Sequence, residues 1–478
     1  MTRTYIAAAA AAALIVTPTL PASAQTARAI SRSDKAQGAQ AHPQLLAEFG
    51  GAYTGPQRAY VERVGKRVAV QSGLSNAQGD FTVTLLDSSV ENAFAIPGGY
   101  VYVTRQLLAL MNSEAELAAV LGHEVGHVAA RHSSKRNTRS TIGGLLSAGV
   151  GWLTGSDVLG KLASTGSQLY TLGFSRSQEY EADGLGVRYA TAAGYDPYGM
   201  SMMLAQLNDD QNLTARIEGR QANAVPTWAS THPNGADRVA RARQLAQQVR
   251  GAAPTGVQDI AFLRMLDGLP YDDNPAQGIV DGQTFRHPQL RLQFTAPTGY
   301  TINNASDAVT VAGSGGQAQF RAAAATGDLP GFVRARLAEL GARDTGAVQL
   351  RTGQVNGLQT AQATVPASSN GRRVDATVIA YGFPSGTYYF VVVTPSGSQL
   401  GPFASMASSV ALLSAQAAGA IRGKRIRIVT VKSGDTIDSL SRQMAYPDYQ
   451  RERFVTLNGL EDARTLTPGR LVKLVVAG

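Results

Sequence analysis

Apolar positions crowd together after Glu116, where Leu117-Ala118-Ala119-Val120-Leu121 leaves almost no polar side. A helix that is apolar nearly all round is a buried helix. From Leu117 to Ala130 there is no Pro, and the only Gly residues are Gly122 and Gly126. Ser113-Glu114-Ala115-Glu116 just before it reads as a capping box, with Ser113 as N-cap and Glu116 reaching back. A second helical stretch opens at Ser175 and runs to about Ala193, where Gly194 stops it. Gly99 to Val103 alternates Tyr and Val as a β-strand does. Two environments stay open for that strand: an exposed edge that pairs with an extended peptide, or an ordinary internal position. Further on, a helix rich in Arg, Ala and Gln ends near Val249, and Gly251 to Pro275 reads as a Pro/Gly/Asp-rich linker. From Phe285 to Leu413 the pattern turns to strands, among them Leu290–Phe294, Val374–Ile379 and the continuous apolar run Tyr388–Val393. Leu329–Leu340 between them has the pattern of an amphipathic helix.

The buried helix carries His123-Glu124-Val125-Gly126-His127. Four residues apart, the two histidines project from one face and can reach one Zn²⁺. Glu124 stands beside them, placed to hold a water and take its proton. Two His and one Glu on such a helix are costly without partners, and a metal supplies them. Downstream, Glu179 and Asp183 share a helical face while Glu181 points elsewhere. Glu179 suits a third ligand, and Asp183 suits an acceptor for the distal N–H of a ligating His. Taken alone, such an acidic cluster is more often a solvated helix face.

Four segments together resemble the HtpX-like and CAAX-prenyl-protease-type gluzincin metallopeptidases. They are Asn92-Ala93-Phe94-Ala95-Ile96-Pro97-Gly98-Gly99-Tyr100-Val101-Tyr102-Val103, His123 to His127, Glu179 to Asp183, and Ser230-Thr231-His232-Pro233 followed by Arg238. The resemblance spans roughly Leu45 to Val249. It implies a mainly helical zincin-type domain with a small β-sheet. It implies one Zn²⁺ per chain on His123, His127 and Glu179, with Glu124 as general base and acid. His232 and Arg238 would lie near the metal as catalytic groups, and Asp183 would lie behind a ligand. Asn92, Gly99, Tyr100, Val101 and Tyr102 would form a strand that receives substrate. For His232 the resemblance leaves two roles: stabilising the tetrahedral intermediate, or approaching the metal and holding the enzyme latent.

Composition bears on the compartment. Met1 to Ala24 reads as a cleaved signal peptide, with Arg3, an apolar run from Ile6 to Val16, and Ala22-Ser23-Ala24. The chain has no Cys, which excludes disulfides, a cysteine nucleophile and Cys-ligated zinc. Export without cysteine points to a bacterial periplasm. Ile142 to Leu153 is apolar but too short to span a bilayer. Three readings stand for it: a lid, a membrane-surface contact, or a core helix. A net charge of +9 favours acidic surfaces such as anionic lipid or wall polymer, and nucleic acid is not expected as a partner.

Near the C-terminus, Val429-Thr430-Val431-Lys432-Ser433-Gly434-Asp435-Thr436-Ile437, then Leu457-Asn458-Gly459-Leu460 and Leu466 to Val472, resemble a LysM module. That resemblance implies a small βααβ fold that binds N-acetylglucosamine polymers, here peptidoglycan. The expected architecture is α+β throughout. It runs as a signal at 1–24, a peptidase domain at 25–250, a linker at 251–280, an α+β module at 281–420 and a LysM-like domain at 426–478. The expected function is a periplasmic zinc endopeptidase acting on misfolded or stalled envelope proteins, with outer-membrane protein assembly as one setting. A latent peptidase serving as a chaperone-like or wall-binding scaffold is the alternative, and a wall hydrolase is a third.

Overall fold

The computed structural model describes residues 29–74, 77–132, 174–218, 232, 236–250, 258–304, 308–342, 345–369, 372–460 and 465–478. The signal segment at 1–24 and the apolar stretch at 142–153 lie outside the described residues, as do Ser230, Thr231 and Pro233. Among the described residues, no helix is long and apolar enough to cross a membrane.

The architecture is α+β. The first part of the chain is mainly helical: α1 (Arg32–Glu48), α2 (Gln57–Ala69), α3 (Ala77–Asp80), α4 (Arg105–Leu110), α5 (Glu114–Ala129), α6 (Arg176–Ala192), α7 (Gly199–Glu218) and α8 (Ala236–Arg250). A three-stranded sheet of β1 (Thr82–Leu86), β2 (Ala93–Ile96) and β3 (Tyr100–Thr104) packs against α2 and α5. Every residue of α5 from Ala115 to His127 is buried, as its all-round apolar pattern requires. Ser113 caps it by accepting from the Glu116 N–H at 3.2 Å. Glu116 does reach back, but its carboxylate accepts from the Asn112 N–H, one residue before the N-cap, at 2.8 Å.

Strand order in this sheet is β1-β3-β2, so of the two environments left open for the Tyr/Val strand it takes the internal one. Tyr100 pairs in parallel with Thr82 on one side and antiparallel with Ile96 on the other. The alternating Tyr/Val pattern encodes a strand but not its place in the order, because pairing partners lie elsewhere in sequence. Gly98 and Gly99, with φ of 94° and 83°, form the turn that folds β2 back onto β3. The edge beside α5 is β2.

The stretch after α8 is no plain linker. Ile260–Met265 is a helix capped by Asp259, and Phe262, Leu263, Leu266 and Leu269 are buried. Pro270–Tyr271 then pairs with the strand Lys424–Thr430, with Lys424 opposite Tyr271. The intervening chain leaves this sheet and returns to it. It holds a seven-stranded sheet with Leu329–Glu339 on one face, and a four-stranded sheet with Phe403–Ser409 on the other. The α+β module is therefore an insertion within a larger unit. At its root, Asn274 donates to Asp87 at 3.0 Å and Ser89 to Asp273 at 2.9 Å.

After the insertion come a strand (Lys424–Thr430), two helices (Ile437–Ser441, Gln450–Leu457) and a strand (Leu471–Ala477), the two strands antiparallel. The βααβ order is as expected, but the module is not a separate bead. Ile426, Phe454, Leu457, Leu474 and Val475 share one hydrophobic core with Val120, Leu121 and Met203 of the helical part. The fully buried Lys473 donates to the carbonyls of Ala109, Leu110 and Met111 at 2.8, 3.0 and 2.7 Å. These are carbonyls at the end of α4, which α4 itself cannot satisfy. Lys473→Met should lower the unfolding free energy by about 3 kcal/mol, because three buried acceptors lose their donor. Urea titration followed by circular dichroism checks this, and a change under about 0.5 kcal/mol, the scatter of a neutral surface change, would show the capping to be idle.

Candidate metal centre

The centre depends on how closely α5 and α6 approach. Gly122 and Gly126 on α5 face Ala182, Leu185 and Gly186 of α6. A Cβ on Gly186 would lie 2.9 Å from the backbone N of His123, and one on Gly122 3.0 Å from the carbonyl of Gly186. Glycine at both places lets the two backbones touch. The short carboxylate side chains of α6 then reach the imidazoles of α5. Ser175 fixes the start of α6 through a reciprocal capping box with Gln178, which places Glu179 in its first turn.

The ring nitrogens converge. His123 Nε2 lies 2.9 Å from His127 Nε2 and 3.5 Å from Glu179 Oε2, and His127 Nε2 lies 3.6 Å from Glu179 Oε1. His232 joins them, its Nδ1 3.3 Å from His123 Nε2 and 3.1 Å from Glu179 Oε1. One donor atom from each of these four residues falls within 4.8 Å of the others, and all four residues are buried. Glu124, also fully buried, places Oε1 3.5 Å from His232 Nε2. Asp183 Oδ1 lies 3.0 Å from His123 Nδ1, and Arg238 grips that carboxylate with Nε at 2.8 Å and Nη2 at 2.7 Å. Arg238 also donates to the His232 carbonyl at 2.9 Å and pairs with Glu179 at 3.1 Å. It thus lies in the cluster, as expected, and holds Asp183, Glu179 and the His232 backbone in place.

Charge in this buried group is finely balanced. Burial, then the neighbouring His123 and His232, push His127 well below the ordinary histidine range. Burial works to raise Glu179, but His232, His123 and Arg238 bring it below the usual carboxylate range. Burial likewise opposes Asp183, yet its bonds from Arg238 and His123 hold it down at about 2. With the His123 Nδ1 proton given to Asp183, Nε2 is a bare lone pair. It faces a second imidazole nitrogen at 2.9 Å and a carboxylate. Such a donor set fits a divalent cation of the zinc type.

The expected site residues divide accordingly. His123, Glu124, His127, Glu179, Asp183, His232 and Arg238 come together. Gly99, Tyr100, Val101 and Tyr102 do not present a free edge: they form the turn and the central strand, and Tyr102 is fully buried. Asn92 is engaged with Thr104, which it meets through both backbone groups. Unforeseen in sequence are His132, 2.9 Å from His127, and Phe174, stacked on the His127 ring at 3.9 Å. The signal for His132 was a third histidine, five residues beyond His127. Nothing in periodicity shows that the chain turns back there.

Residues 56–246 match the family model of peptidase family M48. Peptidases of the M48 family use zinc, and the buried His/Glu group is able to hold one such ion. Mitochondrial metalloendopeptidase OMA1 of Schizosaccharomyces pombe is 30% identical over 214 residues, which is 43% of this chain and 59% of that protein. The β-barrel assembly-enhancing protease of Yersinia pestis is 27% identical over 222 residues, 43% of this chain and 42% of its own. The protein of that name from Escherichia coli K12 is 30% identical over 202 residues, 40% of this chain and 39% of its own. The chain therefore spans less than two thirds of each of these relatives. Their names place the M48 match beside these proteases rather than with the HtpX or CAAX type.

Because Asp183 titrates lower folded than unfolded, its stabilisation is present above about pH 4 and fades as pH falls toward 2. Asp183→Asn in the zinc-free protein should cost about 2 kcal/mol at pH 6. The deficit should shrink below pH 4. Paired urea titrations at pH 6 and pH 3 measure it, and a pH-independent difference would assign the effect to packing alone.

Proposed function

We propose that this chain is a zinc-dependent endopeptidase that hydrolyses peptide bonds in proteins of the bacterial envelope. The observation that carries the reading is the buried convergence of His123, His127 and Glu179 with Glu124 alongside. His123 Nε2, His127 Nε2 and the Glu179 carboxylate would hold the ion. When bound, zinc supplies an activated water and polarises the scissile carbonyl. Glu124 takes the water proton on its carboxylate and later delivers it to the leaving amine nitrogen. An extended substrate would pair with the edge strand β2, not β3. Ala95 and Ile96 at the end of β2, with Gly98 in the turn after it, line one small cavity with His127, Val128 and Arg131, which favours that edge as the one near the donor group.

His232 decides how open the enzyme is. Its Nδ1 stands inside the donor group, where a substrate carbonyl would have to enter, so we assign it the latent role. The signal-like Met1–Ala24 and the names of the bacterial relatives support a periplasmic setting, with stalled or misfolded outer-membrane proteins as substrates. The βααβ unit at 424–477 supports a glycan-binding role at the wall. Pelleting with purified peptidoglycan tests that role separately.

Casein cleavage by the zinc-loaded protein tests the enzyme. Glu124→Gln should lower kcat at least about a hundredfold without loss of zinc. A variant as active as the wild type would remove Glu124 from the reaction. His232→Ala should raise the rate, and a fall of about a hundredfold would instead make His232 an oxyanion donor.

A further inference from the structure

We propose that His132, backed by Glu181, is the positioning residue for His127, fixing its tautomer and ring plane for the metal. The inference rests on the zinc reading above. It concerns two residues to which that reading gives no part.

The backbone makes the contact. Arg131, just past the end of α5, adopts φ 54°, a left-handed conformation that turns the chain back on itself. His132 is thereby returned to the helix it has just left, with no exposed surface. Its Nδ1 lies 2.9 Å from His127 Nδ1, and its Nε2 lies 3.2 Å from Glu181 Oε2. Glu181 is on α6, two residues after Glu179, and its side chain is 54% exposed.

Proton bookkeeping then runs inward from the surface. The Glu181 carboxylate can only accept, so His132 carries its N–H on Nε2. A neutral imidazole has one N–H, so His132 Nδ1 accepts. His127 Nδ1 must donate to it, which leaves His127 Nε2 bare and turned toward His123 Nε2 and Glu179. That is the tautomer a metal ligand needs. Phe174 adds the ring plane, stacked on His127 with 21° between planes. His132 meets His127 on the side away from the donor group, so it is no fourth ligand. The two ligand histidines are held by different devices: His123 by a buried ion pair of Asp183 and Arg238, His127 by a relay that ends in solvent.

Zinc affinity of the full chain, measured by chelator competition, tests this beside the unfolding midpoint of the zinc-free protein. His132→Ala should weaken zinc binding about 10- to 100-fold, the usual cost of losing a group behind a ligand, with the zinc-free midpoint little changed. His132→Gln, whose amide can accept from His127 and donate to Glu181, should recover most of the affinity. Glu181→Ala should lose about tenfold. A His132→Ala protein that binds zinc within twofold of the wild type overturns the proposal, as does one whose only change is a lower zinc-free midpoint. If His132→Ala does not fold, Glu181→Ala decides, and wild-type affinity in that variant overturns the proposal. A wild-type protein that binds no zinc overturns the zinc reading itself, before any variant is made.

Discussion

Everything at the centre follows from the distance between two helices. Where α5 crosses α6, Gly122 and Gly186 leave no room for a single Cβ between backbones. Glutamate and aspartate side chains are short, and they reach the imidazoles only because of that contact. A methyl group at Gly186 would have to push against the backbone N of His123, which cannot yield without moving that imidazole. The glycines thus set the geometry of groups they do not touch. Helix propensity argues against glycine in a helix interior by about 1 kcal/mol each, so their presence marks a packing requirement.

Burial turns that geometry into electrostatics. His123, Glu124, His127, Glu179, Asp183, His232 and Arg238 are all sealed from solvent. No such cluster is tolerable unless each charge meets another. Arg238 meets this need with one guanidinium on two carboxylates and a carbonyl. A lysine could not reproduce the fork, because its ammonium is a point charge without fixed directions.

The chemistry was far more legible in the sequence than the architecture. His123 to His127, Glu179 and Asp183 follow from helical spacing, which is local and periodic. Ser113 and Ser175 announce their helices for the same reason. What stayed open or failed depends on long-range pairing. Tyr100 to Val103 alternates as a strand does, but whether it lies at an edge or between partners stayed open, because only the fold supplies the two neighbours. Gly251 to Pro275 has the composition of a linker, but it carries Phe262 and Leu266 into the main core. His132 was invisible because a single left-handed residue, Arg131, redirects it.

Lys473 joins its three carbonyls from more than 360 positions away in the chain. That separation governs when the folded centre can exist. While a chain is being made, α4 and α5 emerge long before the strand that seals them. Between those two moments a whole inserted module must be completed, and contacts so distant in sequence form slowly. Until then the helix that bears His123 and His127 lacks one wall of its core. A nascent chain of this design keeps its buried centre incomplete until nearly all of the sequence described here has been assembled, a form of timing encoded in connectivity.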